Sequence, residues 1–195
     1  MKTSAISMLF TSFAAVARGL AVFQESTTLN SRTEATPQTC GDVSDLTPFA
    51  ELYIPSITAH VYTTNNDVVT DFIVGNPGTT YLGVTALIFS IADTSTVPFY
   101  CLRSSSAYFY TTNQTERAAA LASGFVEYLS PVGYIYPSQI CGSVPLYRLH
   151  FIAANPDYIY TTSTTERDNA AAMGFTYEGV AGYVYDLLSC GSPES

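Results

Sequence analysis

A chain of 195 residues with seven Lys and Arg against sixteen Asp and Glu carries a formal net charge of −9. Polyanion binding needs clustered cations that displace bound counterions, so this balance argues against nucleic acid and anionic membrane as partners. The length suffices for one domain with a substantial core, or for two small ones.

The chain opens as a secretory signal over residues 1–21. Lys2 supplies a positive n-region, "AISMLFTSFAAVA" a short apolar stretch, and Ala15-Val16-Ala17 a small-residue cleavage site, with Gly19-Leu20-Ala21 as a second cut. The apolar run is too short for a membrane span. Beyond the cut, five arginines face all sixteen acids, a balance of −11, and no lysine remains. Residues 22–39, "VFQESTTLNSRTEATPQT", are polar and Thr/Ser-rich without apolar periodicity. They read as a flexible leader, with a pro-peptide or an O-glycosylated stalk as alternatives. A domain spanning 40–195 follows.

Within it the chain is similar to itself three times, over 48–97, 98–144 and 145–190. Tyr62-Thr63-Thr64, Tyr110-Thr111-Thr112 and Tyr160-Thr161-Thr162 recur at spacings of 48 and 50. Each is preceded by a proline-led strand, from Pro48, Pro98 or Pro145, and followed by a glycine-led one, from Gly78, Gly124 or Gly174. In the third unit, β-formers 146–149 and 158–160 flank Asn155-Pro156-Asp157 and predict a hairpin. Ser163 with Glu166, and Asn113 with Glu116, read as capping boxes opening short helices that Gly174 and Gly124 terminate. The chain then returns as a strand in which Gly179 and Gly182 mark a bulge. The first unit, "NNDVVTDFIVGN", lacks the Glu-Arg pair and the alanines that predict a helix in the other two.

One such unit cannot bury both faces of its strands, whereas three closing around a pseudo-threefold axis leave no open edges. The fold expected is mostly β with one short helix per unit, a closed, β-trefoil-like single domain. A stacked array or open three-unit sheet is the alternative. Four cysteines in a secreted chain imply two disulfides with three possible pairings. A closed ring makes Cys40 and Cys190 neighbours, which leaves Cys101 to pair with Cys141. No C-x-x-C spacing or nearby histidine supports a metal site, and no cofactor is expected.

The third unit, "PLYRL…DYIYTTSTTERDNAAAMGFTYEGVAGYVY", resembles a family of secreted repeats of unknown function found in bacteria and fungi. That family's signature runs Tyr-Arg-Leu, an Asp-His-Phe-Tyr-Thr-Thr-like strand, Glu-Arg, then Gly-aromatic-x-Tyr-Glu-Gly. The resemblance covers residues 48–186. It implies an extracellular module that often accompanies cell-wall or polysaccharide-active domains, and it supplies no catalytic residue. The family's histidine appears only as His60, with Tyr108 and Tyr158 in its place elsewhere. Its arginine survives only as Arg148, with Glu51 and Cys101 at the matching positions, and its Glu-Gly only as Glu178-Gly179.

Catalytic chemistry finds little support. His60 and His150 sit at unlike positions, no G-x-S-x-G elbow is present, and oxidised cysteines offer no thiolate. Glu116 and Glu166 recur as acids, which the capping boxes explain. The reading is therefore a secreted, non-catalytic carbohydrate-binding module acting at a cell wall or host surface. Its partner is an extracellular glycan; a protein-binding effector or hydrolase inhibitor with a secreted or surface partner is the alternative. The triplet tyrosines are assigned to the core, each hydroxyl with a backbone partner. The ligand-binding residues expected are those of the best-preserved unit: Arg148, Asp157, Tyr158, Tyr177 and Glu178. A lobe-internal ion pair of Arg148 with Glu178 is the competing reading. Asn113-Gln114-Thr115 is an N-glycosylation sequon at a helix start, where Asn113 also fits an N-cap.

Overall fold

The computed structural model describes residues 39–187, Ala154 excepted. The signal, nearly all of the leader and Cys190 lie outside the described residues. A 3-10 turn at Val43–Asp45 leads into β1 (Leu46–Ile54), β2 (Ala59–Thr63), α1 (Asn66–Gly75) and β3 (Thr80–Phe89). There follow β4 (Val97–Arg103), β5 (Tyr108–Thr111), α2 (Gln114–Ala122), β6 (Val126–Glu127) and β7 (Gly133–Ile135). Then come β8 (Val144–Phe151), β9 (Asp157–Thr161), α3 (Thr164–Ala172) and β10 (Thr176–Val184). The described chain is mostly β with three short helices, one in each sequence unit.

Local chemistry sets these boundaries. Asn65, Asn113 and Ser163 cap the three helices, their side-chain oxygens accepting from backbone N–H groups of the first turn. Gly124 and Gly174 follow the C-caps of α2 and α3 at φ +99° and +100°, where a side chain is disfavoured. Helix α1 forms without the Glu-Arg pair because Val68 and Phe72, four residues apart, are its buried stripe, on a helix already capped by Asn65. The β8–β9 hairpin pairs as the sequence predicts, and β10 breaks register between Tyr177 and Gly179 and again between Val180 and Gly182.

The same register recurs in all three hairpins. Glu51 faces Tyr62 across β1–β2, Cys101 faces Tyr110 across β4–β5, and Arg148 faces Tyr160 across β8–β9. The three tyrosines meet in the core, at most 1% exposed. The Tyr62 N–H donates to the Tyr110 hydroxyl at 2.8 Å, Tyr110 N–H to the Tyr160 hydroxyl at 2.8 Å, and Tyr160 N–H to the Tyr62 hydroxyl at 3.0 Å. Their rings contact one another edge to face, centroids 5.3 to 5.7 Å apart.

The closed ring expected from the sequence is not what the strand ladders draw. They form an open seven-stranded sheet, ordered β2-β1-β3-β7-β4-β5 with β6 on β4, and an open three-stranded sheet, ordered β10-β8-β9. The two sheets touch through single bridges, Leu87 to Tyr185 and Tyr136 to Tyr183. Strand β7 is only three residues long, and one-pair bridges do not make a ladder.

The disulfide pairing also differs from the expectation. Cys40 is bonded to Cys141, Cα atoms 5.7 Å apart, so Cys141 does not pair with Cys101, nor Cys40 with Cys190. The reason lies in β4. Strand alternation turns Cys101 inward against Tyr110, into the main apolar core with Phe49, Leu52 and Phe99. Cys141 packs in a separate cluster around Phe89, Tyr136 and Tyr185. Cys101 is a free, buried thiol that burial pushes up to about 12. The segment carrying Cys40 is pinned beside that second cluster, where Gly41 N–H donates to the Tyr136 hydroxyl at 2.8 Å. A Cβ at Gly41 would meet the Phe89 ring at 2.7 Å, so only glycine fits this close approach.

Candidate functional site

The first threonine of each Tyr-Thr-Thr triplet links strand to helix. Thr63, Thr111 and Thr161 each accept, through Oγ1, the N–H of the following cap residue, Asn65, Asn113 or Ser163. Thr111 and Thr161 then donate to Glu116 and Glu166. The carboxylates are thus drawn away from the capping position the sequence suggested, toward the neighbouring unit. Asn113 is the N-cap as expected, its Oδ1 accepting from Thr115 N–H at 2.8 Å, and its side chain is exposed.

Where the second and third units meet, Arg148 fills the space between two acids. Its Nη1 and Nη2 donate to the two oxygens of Glu116 at 2.9 and 2.8 Å, a bidentate fork. Its Nε lies 2.8 Å from Glu178 Oε2 as an ion pair without hydrogen-bond alignment. The guanidinium sits 5.1 Å from the Phe109 ring centroid, and only 11% of the side chain is exposed. Glu178 also reaches His150 Nδ1 at 3.2 Å, and His150 stacks on Tyr158 at 4.1 Å and 7°. The fork with Arg148 holds the Glu116 carboxyl below its ordinary value.

The five residues expected to bind ligand therefore lie in three places. Arg148, Tyr158 and Glu178 share this clamp, with Glu116 and His150 added. Tyr177 stands apart, half-exposed, edge to face with Tyr147 and beneath the Arg167 guanidinium. Asp157 turns to the first unit. Its carboxylate accepts from the His60 backbone N–H at 2.8 Å and lies 2.7 Å from His60 Nδ1.

That contact borders an open groove of about 950 Å³ where the third unit meets the first. Strands β2 and β3 supply His60, Thr80 and Leu82, and Tyr53 comes from β1. Phe151, Asp157 and Phe175 line the opposite side, with Glu166, Asn169 and Met173 from α3 and its cap. Burial alone would lower the His60 pKa, but the hydrogen bond and charge of Asp157, with Glu51 and Glu166 nearby, raise it on balance. Glu51 is raised by its burial, despite the hydrogen bonds that it accepts from Tyr62 at 2.7 Å and Thr85 at 3.1 Å.

His60, Tyr53, Glu166 and Asn169 were not among the expected ligand residues. The signals for them were the lone family histidine at His60 and the acid recurring at Glu166. Among the described residues no group of three or more His, Cys, Asp or Glu is placed to hold a metal. Among them, too, no helix is long and apolar enough to cross a membrane. The Cys40–Cys141 bond fits an oxidising compartment.

No curated protein and no solved structure matches the chain. One family model does, over residues 48–185, the stretch that holds the three hairpins, the tyrosine ring, the clamp and the groove. By that match the chain belongs to the family described as "Domain of unknown function (DUF5648)".

Proposed function

We propose that the protein is a secreted, non-catalytic, lectin-like carbohydrate-binding module acting at a cell wall or host surface. It would do so on a pseudo-threefold, β-trefoil-like scaffold, for which the recurring hairpin register and the tyrosine ring speak. The observation that carries the reading is the groove between the third and first units. Tyr53, Phe151 and Phe175 give it aromatic surface on which sugar C–H faces stack, while Asn169, Glu166 and Thr80 present hydroxyl-bonding groups. Its volume lies within the roughly 300–1,000 Å³ of small-ligand sites. The Arg148 clamp is the weaker place for a ligand, since two carboxylates already engage the guanidinium.

A glycan array and polysaccharide pull-down test this reading. Retention on at least one fungal, bacterial or plant glycan, lost in Tyr53→Ala and Asn169→Ala, is the expected outcome. Silence across all of them refutes it.

One observation favours a protein partner instead. Leu82, Ile152 and Met173 are 51%, 75% and 69% exposed beside or within the groove, apolar surface suited to a protein-binding effector or hydrolase inhibitor. Stoichiometric capture of a secreted protein that no sugar displaces would select that reading.

A further inference from the structure

We infer that the groove takes a cationic sugar, an oligosaccharide with free amino groups, one of which is seated over Glu166. The inference rests on the carbohydrate reading above and names the class of sugar.

The argument is a comparison between two junctions of the same chain. Glu116 and Glu166 each stand six residues after their triplet tyrosine, in the first turn of α2 and α3, and each accepts from a triplet threonine, Thr161 doing so at 2.6 Å. The two carboxylates are thus held alike. At the junction of the second and third units, Arg148 covers Glu116. At the junction of the third and first units, the register position of Arg148 is Glu51 and that of Glu178 is Leu82, for Glu51 faces Gly83 as Arg148 faces Gly179. Glu51 cannot cover an acid, and its oxygens accept from Tyr62 and Thr85. Among the described residues the Glu166 carboxylate accordingly accepts only from the Thr161 hydroxyl, and Glu166 is exposed where Glu116 is half-buried.

The groove at that junction is a cavity with apolar walls and a floor in which carboxylates outnumber the one imidazole, His60. Among the described residues none that lines it is Lys or Arg, while Asp157 and Glu166 both line it and Glu51 lies behind them. His60 is tied to Asp157. A complementary ligand therefore brings its own positive charge.

An ammonium fits better than a guanidinium. Arg148 uses a second carboxylate, Glu178, at its Nε, and Leu82 stands at that register here, so a planar fork would lose one of its two acids. A compact ammonium needs one carboxylate and neighbouring oxygens, which Glu166 and Asn169 provide one turn apart on α3. The carbon skeleton of the sugar then lies against Tyr53, Phe151 and Phe175. N-acetylation would replace the charge by a neutral amide over the same acid.

Calorimetric titration of the chain with glucosamine oligomers and with N-acetylglucosamine oligomers of equal length tests this directly, at mildly acidic pH where the amines are charged. The glucosamine oligomer should bind about fivefold more tightly, the size of one partly exposed ion pair, with the difference shrinking as salt is added. Glu166→Gln should erase the preference, bringing the two oligomers to equal affinity. Glu51→Arg, which restores an internal guanidinium at the arginine register, should erase it too. Should Glu51→Arg fail to fold, Glu166→Gln alone decides, because it alters an exposed helical residue. Equal affinity for the two oligomers, or a preference that survives Glu166→Gln, overturns the cationic ligand and leaves the carbohydrate reading standing. If neither these oligomers nor any glycan on the array binds and an arginine-containing peptide does, both are overturned.

Discussion

The Tyr62 hydroxyl accepts the backbone N–H of Tyr160 at 3.0 Å, joining residues 98 apart in the chain. Tyr110 and Tyr160 complete their part of the ring by donating to main-chain carbonyls, of Tyr62 at 2.7 Å and of Tyr110 at 2.8 Å. Tyr62 instead donates to the Glu51 carboxylate. The ring thus departs from threefold symmetry at the junction that holds the groove.

Removing one hydroxyl from this ring strands a buried donor and a buried acceptor together. Tyr110→Phe leaves the Tyr62 N–H and C=O without partners, and Tyr160→Phe does the same to Tyr110. Each should cost about 2–3 kcal/mol in urea denaturation, since each orphaned buried group carries a desolvation penalty of about 1–3 kcal/mol. A loss under about 0.5 kcal/mol would mean the ring is packing alone.

Glu51→Gln should stabilise the protein at neutral pH. The buried carboxyl has its pKa raised above 4.5, so the folded state prefers the protonated form. That preference adds stability below the unfolded pKa and is lost as pH rises through the folded one. A glutamine still accepts from Tyr62 and can donate to Thr85 without the buried charge. Melting curves should show the variant ahead at pH 7 and level with the parent below about pH 4. Equal melting temperatures at neutral pH would contradict the assignment.

His60 gives a second pH dependence of the same sign. Its pKa is raised above 6.5 by Asp157, Glu51 and Glu166, so its pairing stabilises the fold below that value and fades as pH rises through the folded pKa. The parent should lose stability across this window, and His60→Gln should flatten the profile there. A parent profile flat through the window would show that the His60–Asp157 contact is not an ion pair.

The clamp titrates the other way. Glu116 has its pKa lowered by the Arg148 fork, so its contribution is present above 4.5 and lost as pH falls through the folded pKa. Glu116→Gln should cost between the ~1 kcal/mol of an exposed pair and the ~3–5 kcal/mol of a buried one, because Arg148 is 11% and Glu116 36% exposed. It should also leave sugar binding intact. Lost binding with an unchanged melting temperature would return the ligand site to the clamp.

Much of this architecture was legible in the chain. The Tyr-Thr-Thr triplets, the Asn and Ser caps and the stopping glycines mark where strand passes to helix, because each solves a local hydrogen-bonding or backbone problem. The buried tyrosines were legible for the same reason, being large rings with hydroxyls that need backbone partners. What local chemistry does not contain is pairing at long range. The inward turn of Cys101 follows from its register opposite Tyr110, which the closed-ring expectation that paired it with Cys141 did not contain. Glu116 read as a capping acid because its true partner, Arg148, is 32 residues away. Glu51 was visible in the arginine's place, but that Glu166 is left without a guanidinium beside a groove emerges only when the third unit is set against the first. Asp157 was grouped with Arg148, Tyr158, Tyr177 and Glu178, whereas its contact is with His60, 97 residues distant.

The central claim is that a glycan binds between the third and first units, and plugging that groove tests it most directly. Asn169→Trp puts a large ring into the groove from the exposed face of α3 without touching the tyrosine ring or the Arg148 clamp. On a glycan array run beside the parent, the account predicts that the parent is retained and the plugged variant is not, at an unchanged melting temperature. Retention of the plugged variant on the same glycans would contradict it.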